Sequence, residues 1–358
     1  MRQLKFIGLF ALATLLWLAC SKSDKNNEDA SATDAFKKSM LLNYTDTLII
    51  PAFTELQNKI VVMETAINTF LAAPASGSQT TMKTSFKDAY IAFEGISALY
   101  FGPSASLQLN NSFNTFPTAI AKVEAGIQNG NYNFSQPIVS DSLQGFPALD
   151  YLLFNVDAIN QFNGATAANR KKYVKDIIDN MKTVLAGTIN QWKNGFRDVF
   201  TDNLKTNVGS PIGSLVNQFA FEMDAMKGPR IGYPFGKQSN GIVFASKCEG
   251  YYSGITRDLA IANLTSLKKY FNGGSGSGVS DYLVLLGKQS LNSDVLAQFD
   301  IALNALGAIP EPMSAAFTGN ASAVENAYKE VQKLLTLIKT DVASATAVQI
   351  TYMDNDGD

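Results

Sequence analysis

The chain has 358 residues, of which 46% are hydrophobic and 17% are charged, and its 29 basic and 31 acidic residues give a net charge of −2. Its length and apolar content predict about two domains with real cores and exclude a largely disordered protein, and its charge balance leaves no basic footprint for nucleic acid. The sequence contains no histidine, which excludes Ser-His-Asp triads, Cys-His dyads, HExxH zinc sites and a histidine-ligated haem.

The N-terminus predicts a lipoprotein signal peptide over residues 1–19. Arg2 and Lys5 precede an uncharged apolar run from residue 6 to residue 19, which is shorter than the ~20 residues that a membrane span needs. The run ends in Leu-Ala-Cys20, which resembles the cleavage box of bacterial lipoproteins. We therefore expect a lipid anchor on Cys20; the alternative is a soluble secreted protein with an incidental cysteine.

Residues 20–34 are polar and lack apolar periodicity, which predicts a tether between anchor and body. The only other cysteine is Cys248, so a lipidated Cys20 leaves no intramolecular disulfide. Cys248 lies in an apolar-periodic stretch and has no histidine to activate it. We interpret it as a small core residue.

Apolar residues recur at three- and four-residue steps through the remaining chain, which predicts an all-α protein of two antiparallel helical bundles. We place the bundles at residues 35–195 and 196–358, the second ending in a short acidic tail. Pro51 predicts a kink or break in the first helix. The clearest stripes are Leu56, Ile60, Met63, Ile67 and Phe70, and later Tyr328, Val331, Leu335, Ile338 and Val342.

Three further helix assignments concern polar or motif residues. Thr115 to Pro117 predicts a cap with proline in the first turn of a helix, and Asp150 is expected in the first turn of the apolar helix that follows Gly145. A long helix is expected from Cys248 to Ala262. Its residues Glu249, Ser253 and Arg257, spaced by four, would share one face, which is more often exposed than a binding site.

Two ligand-like motifs have simpler interpretations. The run Gly273–Gly278 lacks the Lys-Ser/Thr and the preceding strand of a phosphate-binding loop, so a flexible connection is favoured. The end of the chain, Asp354–Asp358, imitates the start of a calcium loop but lacks the residues that would complete one. We interpret it as a solvated tail.

The string Gly145-Phe-Pro-Ala-Leu-Asp150, followed by Tyr-Leu-Leu-Phe, resembles the Gly-x-His-x-x-Glu segment of imelysin-like proteins, a family that includes iron-uptake-associated lipoproteins of Bacteroidota. Further segments agree in order and spacing: Tyr90–Pro103, Phe113–Pro117, Glu222–Pro229 and Glu249–Ser253. The resemblance covers about residues 36–358. It implies two helical bundle-like domains with the motif near the cleft between them. It also implies an outer-membrane or periplasmic location and a link to iron uptake, beside a historical peptidase assignment.

The motif departs from the family at its two ligand positions. Pro147 stands where the family has histidine, and Asp150 stands where it has glutamate. Proline has no ligand atom, so a site that requires imidazole cannot form, whereas a hard cation could still use the Asp150 carboxylate. The resemblance therefore implies a degenerate metal motif with Asp150 as its remaining ligand.

Together these observations predict a non-catalytic, lipid-anchored binding protein of the outer membrane, facing the periplasm or the cell surface. It would be an accessory in the acquisition of iron, another metal or haem, with outer-membrane transport or uptake proteins as partners and weak binding of a divalent cation. The expected ligand-binding residues are Asp150, Glu222, Arg230, Glu249 and Ser253. Only Asp150 comes from the family motif. The alternatives are a surface lipoprotein that has lost its ligand and, with less support, a metallopeptidase.

Overall fold

The computed structural model describes residues 23–352, and within that range it contains helices and no strand. The all-α prediction is therefore confirmed. The predicted signal peptide, Cys20 and the residues of the acidic tail from 353 onward lie outside the described residues. Within residues 23–352, no helix combines the length and apolar character needed to cross a bilayer.

The longer helices carry the labels used below. They are α1 (Ser23–Asn43), α2 (Ile50–Ala72), α3 (Ser76–Glu94), α4 (Ile120–Asn129), α5 (Gly145–Phe154), α6 (Ala167–Gln191), α7 (Pro211–Ala225), α8 (Thr256–Asn272), α9 (Gln289–Gly307) and α10 (Ala321–Thr336). Shorter α-helices connect them: Pro103–Ser106, Leu109–Phe113, Pro137–Ser140, Ala158–Asn163, Arg197–Asp202, Tyr233–Phe235, Val279–Leu285, Met313–Gly319 and Ala343–Ala345. Single 3₁₀ turns lie at Ser97–Leu99, Asp141–Leu143 and Ala245–Lys247, and π-helical turns at Tyr44–Ile49, Trp192–Phe196, Met226–Gly232 and Leu337–Val342.

The chain does not break at Pro51, because helices α1 and α2 are continuous through the π-helical turn Tyr44–Ile49, and the other alternative, a kink, stays a prediction. Proline lacks an N–H and its ring crowds the carbonyl four residues earlier, so a wider turn just before it accommodates both defects. Residues 23–34, predicted as a tether, belong to the same helix. The polar residues 23–34 therefore form the first turns of helix α1.

The first half of the chain packs around the hairpin of α2 and α3. Helix α6 lies against α2, and the short apolar helix α5 contacts both α3 and α6. The α2 stripe predicted from its spacing is fully buried. The core of this half is therefore built by helix faces of 3.6-residue period, and aromatic rings such as Phe86 and Phe146 fill the space between α3 and α5.

The second half consists of α7, α8, α9 and α10. Helix α9 packs against both α8 and α10, and α7 packs against α10. The predicted α10 stripe is buried at Val331, Leu335, Ile338 and Val342, whereas Tyr328 is only partly buried. The last two of these residues lie in the π-helical turn that continues α10.

Helix α3 joins the two halves because it packs against α2 on one side and α8 on the other. Helix α7 likewise contacts the turn Ser97–Leu99 of the first half. A kink at Asn194 and Gly195, whose backbone angles are not helical, lies where the sequence suggested the end of the first bundle. The division at residues 195 and 196 stays a prediction.

Two predicted helix boundaries are wrong. The helix expected from Cys248 begins only at Thr256, because Gly250 and Gly254 adopt positive φ angles of 62° and 67° that interrupt a right-handed helix. The helix expected to open at Pro117 begins at Ile120.

Two other expectations also need correction. Helix α5 begins at Gly145 itself, which places Asp150 in its second turn rather than its first. The glycine-rich run after Asn272 is tied down, since the Asn43 side chain donates to the carbonyls of Gly273 (2.8 Å) and Ser277 (2.9 Å). The run is a turn fixed by hydrogen bonds rather than a flexible linker.

Candidate functional site

Four buried charged side chains meet where the two halves join. Glu94 ends α3, Glu222 lies on α7, Arg230 lies in the π-helical turn after α7, and Glu249 lies in the irregular segment before α8. Each comes from a different part of the fold. We call this group the arginine–glutamate cluster.

Arg230 lies among the three carboxylates. Its Nη2 atom is 2.9 Å from Glu94 Oε2 and 4.0 Å from Glu222 Oε2, and its Nη1 atom donates a hydrogen bond to Glu249 Oε2. The guanidinium also faces the Phe116 ring, 5.9 Å from its centre. Its planar fork of donors suits several carboxylates at once, which a lysine ammonium would match less well.

Neutral amides and hydroxyls complete the network. Asn263 of α8 donates to Glu94 Oε2 (3.0 Å), Glu222 Oε2 (2.9 Å) and Ser97 Oγ (2.7 Å), and Ser97 donates to Glu222 Oε2 (3.1 Å). Asn114 donates to Glu249 Oε1 at 2.5 Å and to Glu94 Oε1 at 3.4 Å. Such donors offset part of the cost of removing carboxylates from water.

Burial and neighbouring charges change the acidity of the groups in the cluster. Burial raises the pKa of Glu94 well above its usual range; the Arg230 charge lowers it, but the nearby Glu249 and Glu222 carboxylates raise it again. Glu94 therefore binds a proton more readily than an exposed glutamate does. The pKa of Arg230 lies above its usual value, because the attraction of Glu249, Glu94 and Glu222 outweighs the opposing effect of burial. With three carboxyl groups and one guanidinium, the formal charge of the cluster is negative whether Glu94 is ionised or protonated.

A cleft of about 290 Å³ opens onto this cluster between the two halves. Its lining includes the buried side chains of Glu222, Arg230 and Ser97, which we call its floor, and also Asn110, Asn111 and Asn114. The aromatic residues in its walls are Phe93, Tyr100, Phe116 and Phe221. The volume is at the lower end of the ~300–1,000 Å³ typical of small-molecule sites, and the mixture of apolar walls with a few polar groups is typical of such sites.

Asp150 lies in a second place between the halves and has a different environment. Its Oδ2 atom accepts from the backbone N–H of Tyr252 (2.8 Å) and its Oδ1 atom from that of Ser253 (2.9 Å). Burial raises its pKa to about 6, although the hydrogen bonds from Ser253 and Tyr252 oppose that rise. Asp150 thus attaches helix α5 to the segment that carries Glu249.

The structure brings the five sequence-predicted residues together in two groups. Glu222, Arg230 and Glu249 belong to the arginine–glutamate cluster, whereas Asp150 and Ser253 are hydrogen-bonded to each other apart from it. The exposed face predicted for Glu249, Ser253 and Arg257 is wrong, because the first two precede the helix and are buried. Their role as ligand-binding residues stays a prediction.

Sequence reasoning missed Glu94 and Asn263. The available signal was position: Glu94 lies four residues after Tyr90 and directly after Phe93, on the buried side of α3. A charged residue inside an apolar stripe is rarely fully buried unless it is paired. That rule would have marked Glu94 as part of a polar network.

The residues at positions 147 and 150 do not fit a transition-metal ion. Pro147 offers no donor atom, and both Asp150 oxygens already accept backbone hydrogen bonds. Within residues 23–352, no group of three or more His, Cys, Asp or Glu side chains is arranged to hold a metal ion. That Asp150 holds a hard cation stays a prediction.

Cys248 is buried, as the sequence suggested, although not on a helix. Burial raises the pKa of its thiol to about 12, and its Sγ atom lies 3.3 Å from Thr256 Oγ1. A thiol with so high a pKa is a poor nucleophile at neutral pH.

The fold has counterparts among solved structures. A protein from Parabacteroides distasonis ATCC 8503, provisionally named an iron-regulated protein A precursor, superposes with a TM-score of 0.72 at 16% identity, over 87% of this chain and 94% of that chain. An imelysin-like protein from Psychrobacter arcticum 273-4 superposes with a TM-score of 0.70 at 17% identity, over 89% and 98% of the two chains. At these identities the likeness concerns the fold.

Sequence comparison reaches the same family. No curated protein matches the chain. The family model described as Imelysin (Peptidase_M75) matches residues 49–340, which include every residue of the arginine–glutamate cluster together with Pro147 and Asp150. With most of its length matched by that model and its fold shared with an imelysin-like protein, the chain belongs to the imelysin family.

Proposed function

We propose that this protein is a non-catalytic ligand-binding accessory of the bacterial envelope that serves the acquisition of iron, another metal or haem. The observation that carries the proposal is the cleft between the two halves, with its aromatic walls and its buried floor of Glu222, Arg230 and Ser97. A concave, mostly apolar site with a few fixed polar groups is the usual form of a small-molecule binding site.

The iron-linked part of the proposal comes from the family. The matched structure from Parabacteroides distasonis is named as an iron-regulated protein, and this chain shares its fold over most of its length. The envelope location is supported by the lipoprotein-like sequence that ends at Cys20. A lipid on Cys20 would hold the helical body at a membrane surface, where uptake proteins could receive its ligand.

A binding role agrees better with the site than peptide hydrolysis does. The carboxylates of the cluster are engaged by Arg230, Asn263 and Asn114 rather than arranged around a reacting centre. Pro147 stands at the motif position where a histidine would hold a metal and thereby activate a water molecule. Cys248 has no neighbouring group that would activate it as a nucleophile. The metallopeptidase alternative therefore has little support.

The test is physiological. We expect the amount of protein to rise when iron is withdrawn from the medium, and a deletion strain to grow more slowly than wild type on limiting iron or haem but equally well in iron-replete medium. Unchanged protein levels and unchanged growth on every iron source would contradict the iron-linked role.

The anchor has its own test. Cys20→Ala should release the protein from the membrane fraction or leave an uncleaved precursor, and it should fail to restore growth on limiting iron if the anchor is needed. A matched control is Cys248→Ala, which removes the other cysteine and should leave membrane partitioning unchanged. Equal partitioning of wild type and Cys20→Ala would exclude the lipid anchor.

A further inference from the structure

The floor of the cleft has one carboxylate oxygen that is not used by the protein. Glu222 is 3% exposed, and its Oε2 atom accepts hydrogen bonds from Ser97 and Asn263 and lies 4.0 Å from Arg230. Within residues 23–352, its Oε1 atom has no hydrogen-bond or ion-pair partner. This oxygen keeps contact with the space of the cleft instead of being fully buried, so a donor supplied from the cleft can bond to it directly.

The charge around Glu222 Oε1 decides whether a charged or a neutral hydrogen-bond donor is favoured there. Arg230 is committed to Glu94 and Glu249 through its two terminal nitrogens, so it does not neutralise Glu222 fully. The cluster as a whole has three carboxyl groups around one guanidinium, so it retains a formal negative charge whether or not Glu94 holds a proton. A positively charged donor therefore gains more at the floor than a neutral one does, and an anion is repelled.

The aromatic walls suit the rest of such a ligand. Phe93 and Phe116 from the first half and Phe221 from α7 line the cleft beside Glu222. Phe116 already lies against one cation, the Arg230 guanidinium. Aromatic faces attract cations and also pack well against apolar rings. An alkylamine that carries an aromatic ring therefore finds partners here for both its charged and its apolar end.

We propose that the cleft binds a ligand with a protonated nitrogen, whose N–H group donates to Glu222 Oε1 while its apolar part packs against Phe93 and Phe116. The inference rests on the cleft being a ligand site, as the proposed function states, and it adds the chemical class of the group that reaches the floor. Arg230 acts as a positioning residue, because its approach to the Oε2 side leaves Oε1 for the ligand.

The test compares three probes of nearly equal shape on the purified full-length protein at pH 7 by titration calorimetry. These are phenethylamine, which is cationic, 2-phenylethanol, which is neutral, and 3-phenylpropionate, which is anionic. We expect phenethylamine to bind at least ten times more tightly than 2-phenylethanol, and 3-phenylpropionate to bind most weakly. Raising the salt concentration should narrow the difference between the amine and the alcohol.

Glu222→Gln preserves the size of the side chain and one oxygen for Ser97 and Asn263, but removes the charge. It should weaken phenethylamine binding about tenfold or more and change 2-phenylethanol binding less than twofold. Glu55→Gln is the matched control, since Glu55 is exposed on α2 and its side chain is 58% accessible; it should change neither. Ala225→Leu, which narrows the cleft without touching its charges, should weaken binding of both probes and serves if Glu222→Gln fails to fold.

Equal affinity for the amine and the alcohol, tighter binding of the carboxylate, no binding of any probe, or an unaltered affinity in folded Glu222→Gln would each overturn the inference. The proposed function would survive one of these outcomes. If the alcohol or the carboxylate binds and Ala225→Leu weakens that binding, the cleft is still a ligand site. The growth experiment under iron limitation tests the iron-linked role independently of these binding measurements.

Discussion

The arginine–glutamate cluster and the motif helix α5 both place buried carboxylates between the two halves, but they use them differently. Asp150 of α5 has both oxygens occupied by the backbone N–H groups of Tyr252 and Ser253. Glu222 of the cluster keeps an oxygen for the cleft. The carboxylate at the motif position therefore attaches α5 to the segment before α8, whereas the carboxylate with an oxygen open to the cleft lies outside the motif.

Removing the cation of the cluster should produce the largest effect. Arg230→Met keeps the apolar bulk but leaves Glu249 and Glu222 without their positive partner, and breaking one side of a buried ion pair typically costs ~3–5 kcal/mol. Lys237→Met is the control, because Lys237 pairs with Glu325 (2.5 Å) at the partly exposed surface, where such pairs contribute ~0–1 kcal/mol. Urea denaturation measures both. Equal losses would show that the cluster is no more important for stability than a surface pair.

The attachment at Asp150 should be sensitive to pH. Its folded pKa of about 6 lies above the ordinary value near 3.8, so the folded protein binds the proton more tightly than the unfolded chain does. The stability contributed by the protonated form is complete below about pH 4 and is lost as pH rises through 6. At ~1.4 kcal/mol per pKa unit, the free energy of unfolding of wild type relative to Asp150→Asn should fall by about 3 kcal/mol over that range. A flat or rising difference would contradict the burial of this carboxylate.

Restoring the family motif tests whether the motif position can still serve a metal. Wild type should bind zinc weakly, and the variant with Pro147→His and Asp150→Glu should bind it about tenfold more tightly, because it gains an imidazole but still lacks the three protein ligands of ordinary zinc sites. Calorimetry with zinc, together with circular dichroism to verify the fold, gives the comparison. Tight zinc binding by wild type that Asp150→Ala abolishes would show that the histidine is dispensable.

The smallest expected effect concerns a neutral member of the cluster. Ser97→Ala removes the hydrogen bond from Ser97 to Glu222 Oε2 and the acceptor of one Asn263 hydrogen bond, while Asn263 still donates to Glu222 Oε2. The free energy of unfolding should fall by about 1–2 kcal/mol, because the usual net value of one hydrogen bond is about 1 kcal/mol. Thermal or urea unfolding measures the change. A loss as large as that of Arg230→Met would mean that the network depends on its hydroxyl as much as on its charge.

Sequence periodicity was enough to predict the helices but not the site. The stripes of α2 and α10 follow from burial of one helix face, a local property that spacing reveals. Glu249 and Ser253 have helical spacing too, yet Gly250 and Gly254 adopt positive φ angles and prevent a helix there. Spacing alone does not show whether a glycine will interrupt a helix. Glu94 and Asn263 meet only through the packing of α3 against α8, which no local pattern records.

The order in which the cluster is assembled follows from how widely its members are separated along the chain. Asn263 and Glu94 are 169 positions apart, and Ser97 and Glu222 are 125 apart. During synthesis Glu94 is made long before Arg230 and Asn263, and closing such long loops is slow because their entropy is lost before the contacts form. We therefore expect the cleft to form in the last steps of folding, when α8 docks on α3. Until then Glu94 is hydrated, and the half-made protein has no complete cleft.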